Sequence, residues 1–387
     1  MADPHWMAEF FEAHGREGES RPRFPGYGRE LEALRRSGRF RERRIYDPSL
    51  ADFASNDYLG LAHRRKSLQG ALRRLKGHAT HGPKASLLVN GYHPIHRAFE
   101  ERIAALNGFE AGLVVGSGFL ANLALIEALV RRKDCLFIDE EYHASGILAS
   151  GLLEGRVRTF AHNDPEDLWR KLRGFRGGRA IVAIEGVYSM SGDLAAREIF
   201  EVARESGALL LVDEAHSSGV LGENLLGIFE HYGISPGPEH LKMGTLGKAY
   251  GSYGAYILAS REIVSYLENR GKPIIYSTAP SVIDTALALE NLEYIFRRAK
   301  RLRRRLERRR RIVRERLGRK MDSLILPLPV ESNAEALRWQ RELMEQGFLV
   351  GAIRQPTVAE PILRVIPRLG TPRKELIRLL DTLERFR

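Results

Sequence analysis

Between residues 112 and 259, short apolar or β-branched runs alternate with helical patterns, and this alternation leaves few folds open. Residues 112–115, 136–139, 180–185, 208–213 and 253–259 read as strands, while 119–131 and 196–206 carry apolar positions at helical spacing. Strands that alternate with helices assemble into a mostly parallel sheet covered by helices on both faces, an α/β architecture. From residues 276–280 the pattern changes. One long helical stretch follows, then short strands around 324–328 and 363–366, and a last helix from Arg373. We therefore divide the chain into an N-terminal segment 1–44, a large domain 45–279 and a smaller α+β domain 280–387. In the first segment, residues 28–44 (GRELEALRRSGRFRERR) read as a short basic amphipathic helix. A length of 387 residues with 43% apolar content suffices for that many units.

The net charge of +12 suggests an anionic partner, but its distribution weakens that reading. Residues 297–320 hold fifteen Lys or Arg against two Glu, a net +13, so the remainder of the chain stands at −1. Within that run Leu302, Leu306, Val313 and Leu317 recur at helical spacing, so one stripe packs while an Arg face stays in water. Docking of an acidic partner is the alternative. No nucleic-acid motif accompanies the charge. A single cysteine, Cys135, excludes an intramolecular disulfide and reads as a strand residue of the core. No apolar run approaches the roughly 20 residues of a membrane span. The first residues show no basic stretch followed by an apolar one, so the expectation is a cytoplasmic protein without a leader.

The most informative segment for chemistry is Gly244-Thr245-Leu246-Gly247-Lys248-Ala249-Tyr250-Gly251-Ser252-Tyr253-Gly254, a single lysine among small residues. A desolvated, uncharged lysine forms an imine with an aldehyde, and glycines let backbone approach a flat ring. The plainer reading is a glycine turn with a surface lysine. Strand 208–213 tips the balance, because it ends in Asp213-Glu214-Ala215-His216. A carboxylate at the C-terminal end of a central strand lies where open α/β sheets bind ligands, and it can pair with a pyridinium nitrogen. The same residues fit the Asp-Glu-x-His form of helicases, but that needs an upstream P-loop, which the sequence lacks. Gly116-Ser117-Gly118-Phe119 is a Gly-rich turn at a helix start, suited to a phosphate. His143 stands at another strand end, placed to stack on a planar group, and Ser189 follows strand 180–185.

Taken in chain order, these motifs resemble those of fold-type I pyridoxal 5'-phosphate (PLP) enzymes, specifically the α-oxoamine synthases. The resemblance rests on Ser55-Asn56-Asp57-Tyr58-Leu59-Gly60-Leu61, residues 116–122, Tyr142-His143-Ala144-Ser145 and His162-Asn163-Asp164. It extends through residues 187–193, 212–222, 243–254 and Tyr276-Ser277-Thr278-Ala279. It implies a large domain with a seven-stranded, mostly parallel sheet, PLP as cofactor, and a homodimer with sites at the subunit interface. It assigns Lys248 as imine lysine and base, Asp213 to the ring nitrogen, and His143 to the ring face. Ser189 and His216 would hold the ring hydroxyl, with Gly118, Phe119 and Thr245 at the phosphate. Ser277 and Thr278 would reach the neighbour's phosphate. Asn56 and Arg364 would hold the substrate carboxylate, in preference to Arg354. Three departures stand out: Ala85-Ser86-Leu87 lacks a basic residue usual there, Ser191 replaces an Asp, and the loop after Val358 is shorter. The resemblance further implies condensation of an amino acid with an acyl thioester, carried on CoA or acyl carrier protein. Ala352-Ile353-Arg354-Gln355-Pro356-Thr357-Val358 and the compact length point to L-alanine and a pimeloyl thioester, a step of biotin biosynthesis. Glycine or serine as amino donor, as in a 2-amino-3-ketobutyrate CoA ligase, is the alternative. A catalytically inactive binding subunit is disfavoured by the intact Lys248, Asp213 and His143.

Overall fold

The computed structural model describes residues 25–385, so the leader expectation, which concerns the first residues, lies outside them. In chain order the strands are β1 (Ala51–Asp52), β2 (Ala111–Val115), β3 (Cys135–Asp139), β4 (Val157–Phe160), β5 (Ala180–Glu185) and β6 (Leu209–Asp213). They continue with β7 (His240–Thr245), β8 (Ala255–Ala259), β9 (Leu326–Pro329), β10 (Phe348–Leu349), β11 (Gly351–Ile353) and β12 (Ile362–Val365).

A seven-stranded sheet runs in the order β2-β8-β7-β6-β5-β3-β4. Its pairs from β7 to β4 are all parallel, and β8 alone is reversed, antiparallel to both β2 and β7. The expected fold class is therefore present. Apolar residues fill both sides of the central strands: Val182 and Ile184 of β5 pack in one core, Ile181 and Ala183 in the other. A strand buried on both faces reads as a continuous apolar run, which is why β5 and β6 were legible. Because β7 and β8 are consecutive and antiparallel, a tight turn over residues 246–254 joins them where a crossover helix would otherwise stand. That turn carries Lys248.

A three-stranded antiparallel sheet, β11-β12-β9, forms the second unit. Residues 51–53, expected in the large domain, belong to it structurally: β1 pairs in parallel with β10, and Phe53 is buried in its core beside Phe348 and Val365. The helix Val282–Leu317 spans both units. Its first turns bury Val282, Leu289 and Leu292 against the large domain, and its last bury Ile312, Val313 and Leu317 in the small one.

Several expectations need correction. The basic amphipathic helix covers Pro25–Arg36 and stops there, with Gly38 at φ +63°, so residues 39–44 are not helical. The strand expected from residue 253 begins at Ala255, since Gly254 sits at φ +109°. Strands β4 and β7 were not anticipated, nor were β1, β10 and β11. The apolar stripe Leu302, Leu306, Val313 and Leu317 is buried as expected. Two arginines of the run are drawn in as well: Arg309, which falls between Leu306 and Val313 on the stripe's own side, is buried, and Arg310 donates to the carbonyls of Ser323 (3.1 Å) and Val220 (3.3 Å).

Candidate active site

The C-terminal ends of β3, β5, β6 and β7 lie side by side, and the residues there form one cluster. Strand β6 stays apolar through Val212 and ends at Asp213, which pairs in register with Glu185, the last residue of β5. Asp213 is only 3% exposed, and a buried carboxylate survives only with hydrogen-bond donors around it. Asn122 Nδ2 donates to its Oδ2 at 3.0 Å, and the Ala215 N–H donates to its Oδ1 at 3.0 Å. Asn122 also donates to Ser145 Oγ (2.9 Å) and accepts from the Tyr142 hydroxyl (2.7 Å), so its amide orientation is fixed. Ser145 Oγ, which accepts from Asn122, lies 2.7 Å from His143 Nδ1 and donates its own proton there. Nδ1 also accepts from the Ser145 N–H at 3.2 Å, which places the proton of a neutral His143 on Nε2.

Lys248 Nζ lies 2.7 Å from His216 Nε2. Burial lowers the lysine's pKa to about 8, with Asp213 and Glu185 opposing a further fall. Burial pushes His216 well below its usual value, and the cations of Lys248 and Arg364 add to this. The imidazole is therefore neutral and carries one ring proton. A lysine ammonium only donates, so Nε2 accepts and the Nδ1 proton goes to the Tyr58 hydroxyl oxygen. The turn holding Lys248 depends on glycine: at Gly251, φ is +55°, and a Cβ would lie 2.6 Å from the backbone of Leu61 and Ala62.

Arg364, on β12, enters the same cluster. Its Nε donates to the Ser189 carbonyl (2.8 Å) and its Nη1 to Asn56 Oδ1 (2.9 Å). Its Nη2 is buried without a partner. The other candidate, Arg354, turns away and donates to the carbonyls of Gly38 and Phe40. The loop bearing Ser189 is held by His162, which bridges Asp139 and Asp193 at 3.0 Å each. Burial alone would lower the pKa of His162, but these two carboxylates outweigh it and raise the value to about 10.

The helix Gly118–Leu129 begins beside Thr245: a Cβ at Gly118 would lie 3.9 Å from Thr245 Cβ. The first N–H groups of a helix have no partner within it and suit an anion. Phe119, the second helical residue, is half exposed. Ser277 and Thr278 are not joined to the cluster by any hydrogen bond. They follow the exposed Tyr276 and run against residues 85–86, with a bridge from Thr278 to Ser86. Tyr58, Asn122, Ser145 and Glu185 are participants that motif reading did not assign. Glu185 carried the same signal as Asp213, a carboxylate ending an apolar strand. Burial raises its pKa well above the usual carboxylate range, and the charge of Asp213 adds to the effect.

This donor set fits PLP. It offers an amine of lowered pKa, a buried carboxylate, an imidazole beside them, and a helix N-terminus. It also leaves a buried guanidinium edge on Arg364 without a partner.

Residues 48–383 match the model of the aminotransferase class I and II family. A curated 8-amino-7-oxononanoate synthase of Helicobacter pylori is 45% identical over 359 residues, covering 92% of this chain and 96% of that one. Among solved structures, a serine palmitoyltransferase of Sphingomonas wittichii superposes with a TM-score of 0.84 at 24% identity, covering 95% and 98% of the two chains. An 8-amino-7-oxononanoate synthase of Francisella tularensis does so with a TM-score of 0.72 at 25% identity, covering 88% and 99%. Similarity over nearly the full length agrees with a site already suited to the cofactor, and the chain belongs to the aminotransferase class I and II family, among the PLP-dependent α-oxoamine synthases.

Proposed function

We propose that this enzyme makes 8-amino-7-oxononanoate by joining L-alanine to a pimeloyl thioester, with loss of carbon dioxide and release of the thiol. The observation that carries the proposal is the free Nη2 of Arg364, buried beside Asn56 in the cluster that also holds Lys248. A planar guanidinium edge binds a carboxylate through two parallel hydrogen bonds, so it suits the carboxylate of an amino acid substrate.

Lys248 would hold the cofactor through its amine, Asp213 at the ring nitrogen and His143 at the ring face. Ser189 and His216 would meet the ring hydroxyl, and Gly118, Phe119 and Thr245 the phosphate. When bound, PLP supplies an electron sink for the charge that develops on the amino acid's α-carbon. The protein's residues do the rest. Asp213, fixed by Asn122 and Ala215, keeps a positive charge at the ring nitrogen. With a pKa of about 8, Lys248 Nζ is close to the poise of a general base at neutral pH, and it moves the α-proton. His216 Nε2 accepts a hydrogen bond from that amine and, held well below its usual pKa by burial and the nearby cations, stays neutral, so no second cation stands beside it. Arg364 and Asn56 orient the amino acid. The exposed Tyr276 and Thr278, with the half-buried Ser277 between them, are not hydrogen-bonded to this chain's own cluster and would complete the phosphate site of a second copy in a homodimer.

One assay tests both parts. The PLP-loaded protein is given L-alanine, glycine or L-serine with pimeloyl-CoA, and the aminoketone is identified by mass. Lys248→Ala and Thr278→Ala chains are then assayed separately and mixed. The proposal expects 8-amino-7-oxononanoate from alanine, with partial rescue on mixing. A preference for glycine or serine would assign the enzyme to another α-oxoamine synthase reaction. Failure of rescue with two soluble variants would remove the shared site.

A further inference from the structure

The Arg-rich helix also lines a cavity away from the cluster around Lys248. Its second half and the segment leading into the helix Arg373–Arg385 enclose a cavity of about 270 Å³. The charged groups in its wall are Arg305, Arg308, Arg309 and Arg373, with no carboxylate. Among the described residues, none of these four makes an ion pair, although other arginines of the same helix do, Arg310 with Glu307 and Arg316 with Asp381. Four guanidiniums gathered without a counter-charge repel one another, and a mobile anion relieves that repulsion.

Arg309 is the informative member. It is 6% exposed, its Nη2 donates to the Thr371 carbonyl, and its Nη1 is buried without a partner. Burial, with the cations of Arg305 and Arg373 beside it, pushes its pKa down to about 10, whereas guanidiniums ordinarily titrate above 12. A charged group is therefore kept dry, with one donor edge unused. Arg305 is braced by a hydrogen bond from its Nη2 to the Leu369 carbonyl at 3.3 Å. The last helix brings its N-terminus to the same cavity, since Thr371 and Pro372 precede its first residue, Arg373. The first N–H groups of that 13-residue helix have no intrahelical acceptor and favour an anion.

We propose that Arg305, Arg308, Arg309 and Arg373 form a binding site for a phosphate group, separate from the PLP pocket. A dianionic tetrahedral oxyanion offers several acceptor oxygens to several guanidinium edges, which a halide does not. The cavity has room for a phosphate group and a few waters, and is too small for a peptide. The site is independent of the reaction proposed above. Two sources share the chemistry: inorganic phosphate, and the phosphates of coenzyme A.

Calorimetric titration of the holoprotein, saturated with PLP in chloride buffer, tests this. Saturation removes the cofactor's own phosphate site from the measurement. Inorganic phosphate is expected to bind once per chain, at least about tenfold more weakly to the Arg305→Gln/Arg308→Gln variant. Both positions are exposed, and the single Arg308→Gln variant is read the same way should the double one fail to fold. Arg297→Gln/Arg301→Gln removes equal charge from exposed positions of the same helix outside the cavity, and should keep the unmodified protein's affinity. Competition by coenzyme A would identify its phosphate as the occupant, and lack of competition would assign the site to the free anion. Equal phosphate binding by all the proteins, or none by any, overturns the proposal.

Discussion

Asp213→Asn is expected to lower turnover by at least about 150-fold while PLP remains bound. The substitution preserves shape and removes the charge proposed to hold a positive ring nitrogen. Breaking such a buried pair costs about 3 kcal/mol or more, and each 1.36 kcal/mol is a factor of ten in rate. The surroundings add to the effect. Asp213 accepts from both Asn122 Nδ2 and the Ala215 N–H, whereas asparagine has a single acceptor oxygen. One of those donors would then face the new amide N–H₂. Because the lysine, the helix N-terminus and Thr245 are untouched, cofactor retention should change far less than kcat. The check is turnover set beside the PLP absorbance of the purified variant. Near-normal turnover with full PLP content would mean that the strand-end carboxylate is not the partner of the ring.

Arg364→Lys is expected to lower kcat/KM for the amino acid by about 100-fold, mostly through a higher KM. An ammonium carries the same charge but has no planar fork, so it cannot reach Ser189 O and Asn56 Oδ1 and still present an edge to a carboxylate. The loss corresponds to about 3 kcal/mol, the scale of a buried charge-assisted pair. Arg354→Lys serves as the comparison, because its guanidinium is committed to the carbonyls of Gly38 and Phe40. Steady-state kinetics with varied amino acid should leave that variant within about threefold of the unmodified enzyme. Reversal of the two phenotypes would assign the substrate carboxylate to Arg354.

What the sequence made legible follows from burial. Strands β5 and β6 are apolar on both faces and end in a carboxylate, so both the sheet and Asp213 could be read from residue order. Strand β7 escaped because Lys242 sits at its centre and reads as solvent-exposed. In the fold that lysine is buried, 3.2 Å from Glu214 and 2.9 Å from Asn107 Oδ1, a pairing between distant residues. Strand β4 escaped for the opposite reason: it is the sheet edge, with Arg158 and Thr159 exposed, and carries no apolar run. The same division holds at the site. Lys248, Asp213, His143 and His216 are marked by local motifs. The roles of Asn122, Ser145 and Tyr58 are set by hydrogen bonds across the fold, from the start of one helix to the end of another strand. The basic run shows the limit of composition most clearly. Residue type alone cannot tell the exposed Arg308 from its buried neighbour Arg309, and it is helical spacing that places Arg309 between Leu306 and Val313 on the buried side.

The claim on which the rest depends is that Lys248 carries the cofactor. Borohydride reduction of the PLP-loaded protein, followed by digestion and mass mapping, tests it directly. The pyridoxyl group is expected on the peptide containing Gly247-Lys248-Ala249, at one per chain. Label on any other lysine would contradict the account. Lys242, six residues upstream but ion-paired with buried Glu214, is the lysine of this strand that should remain unmodified.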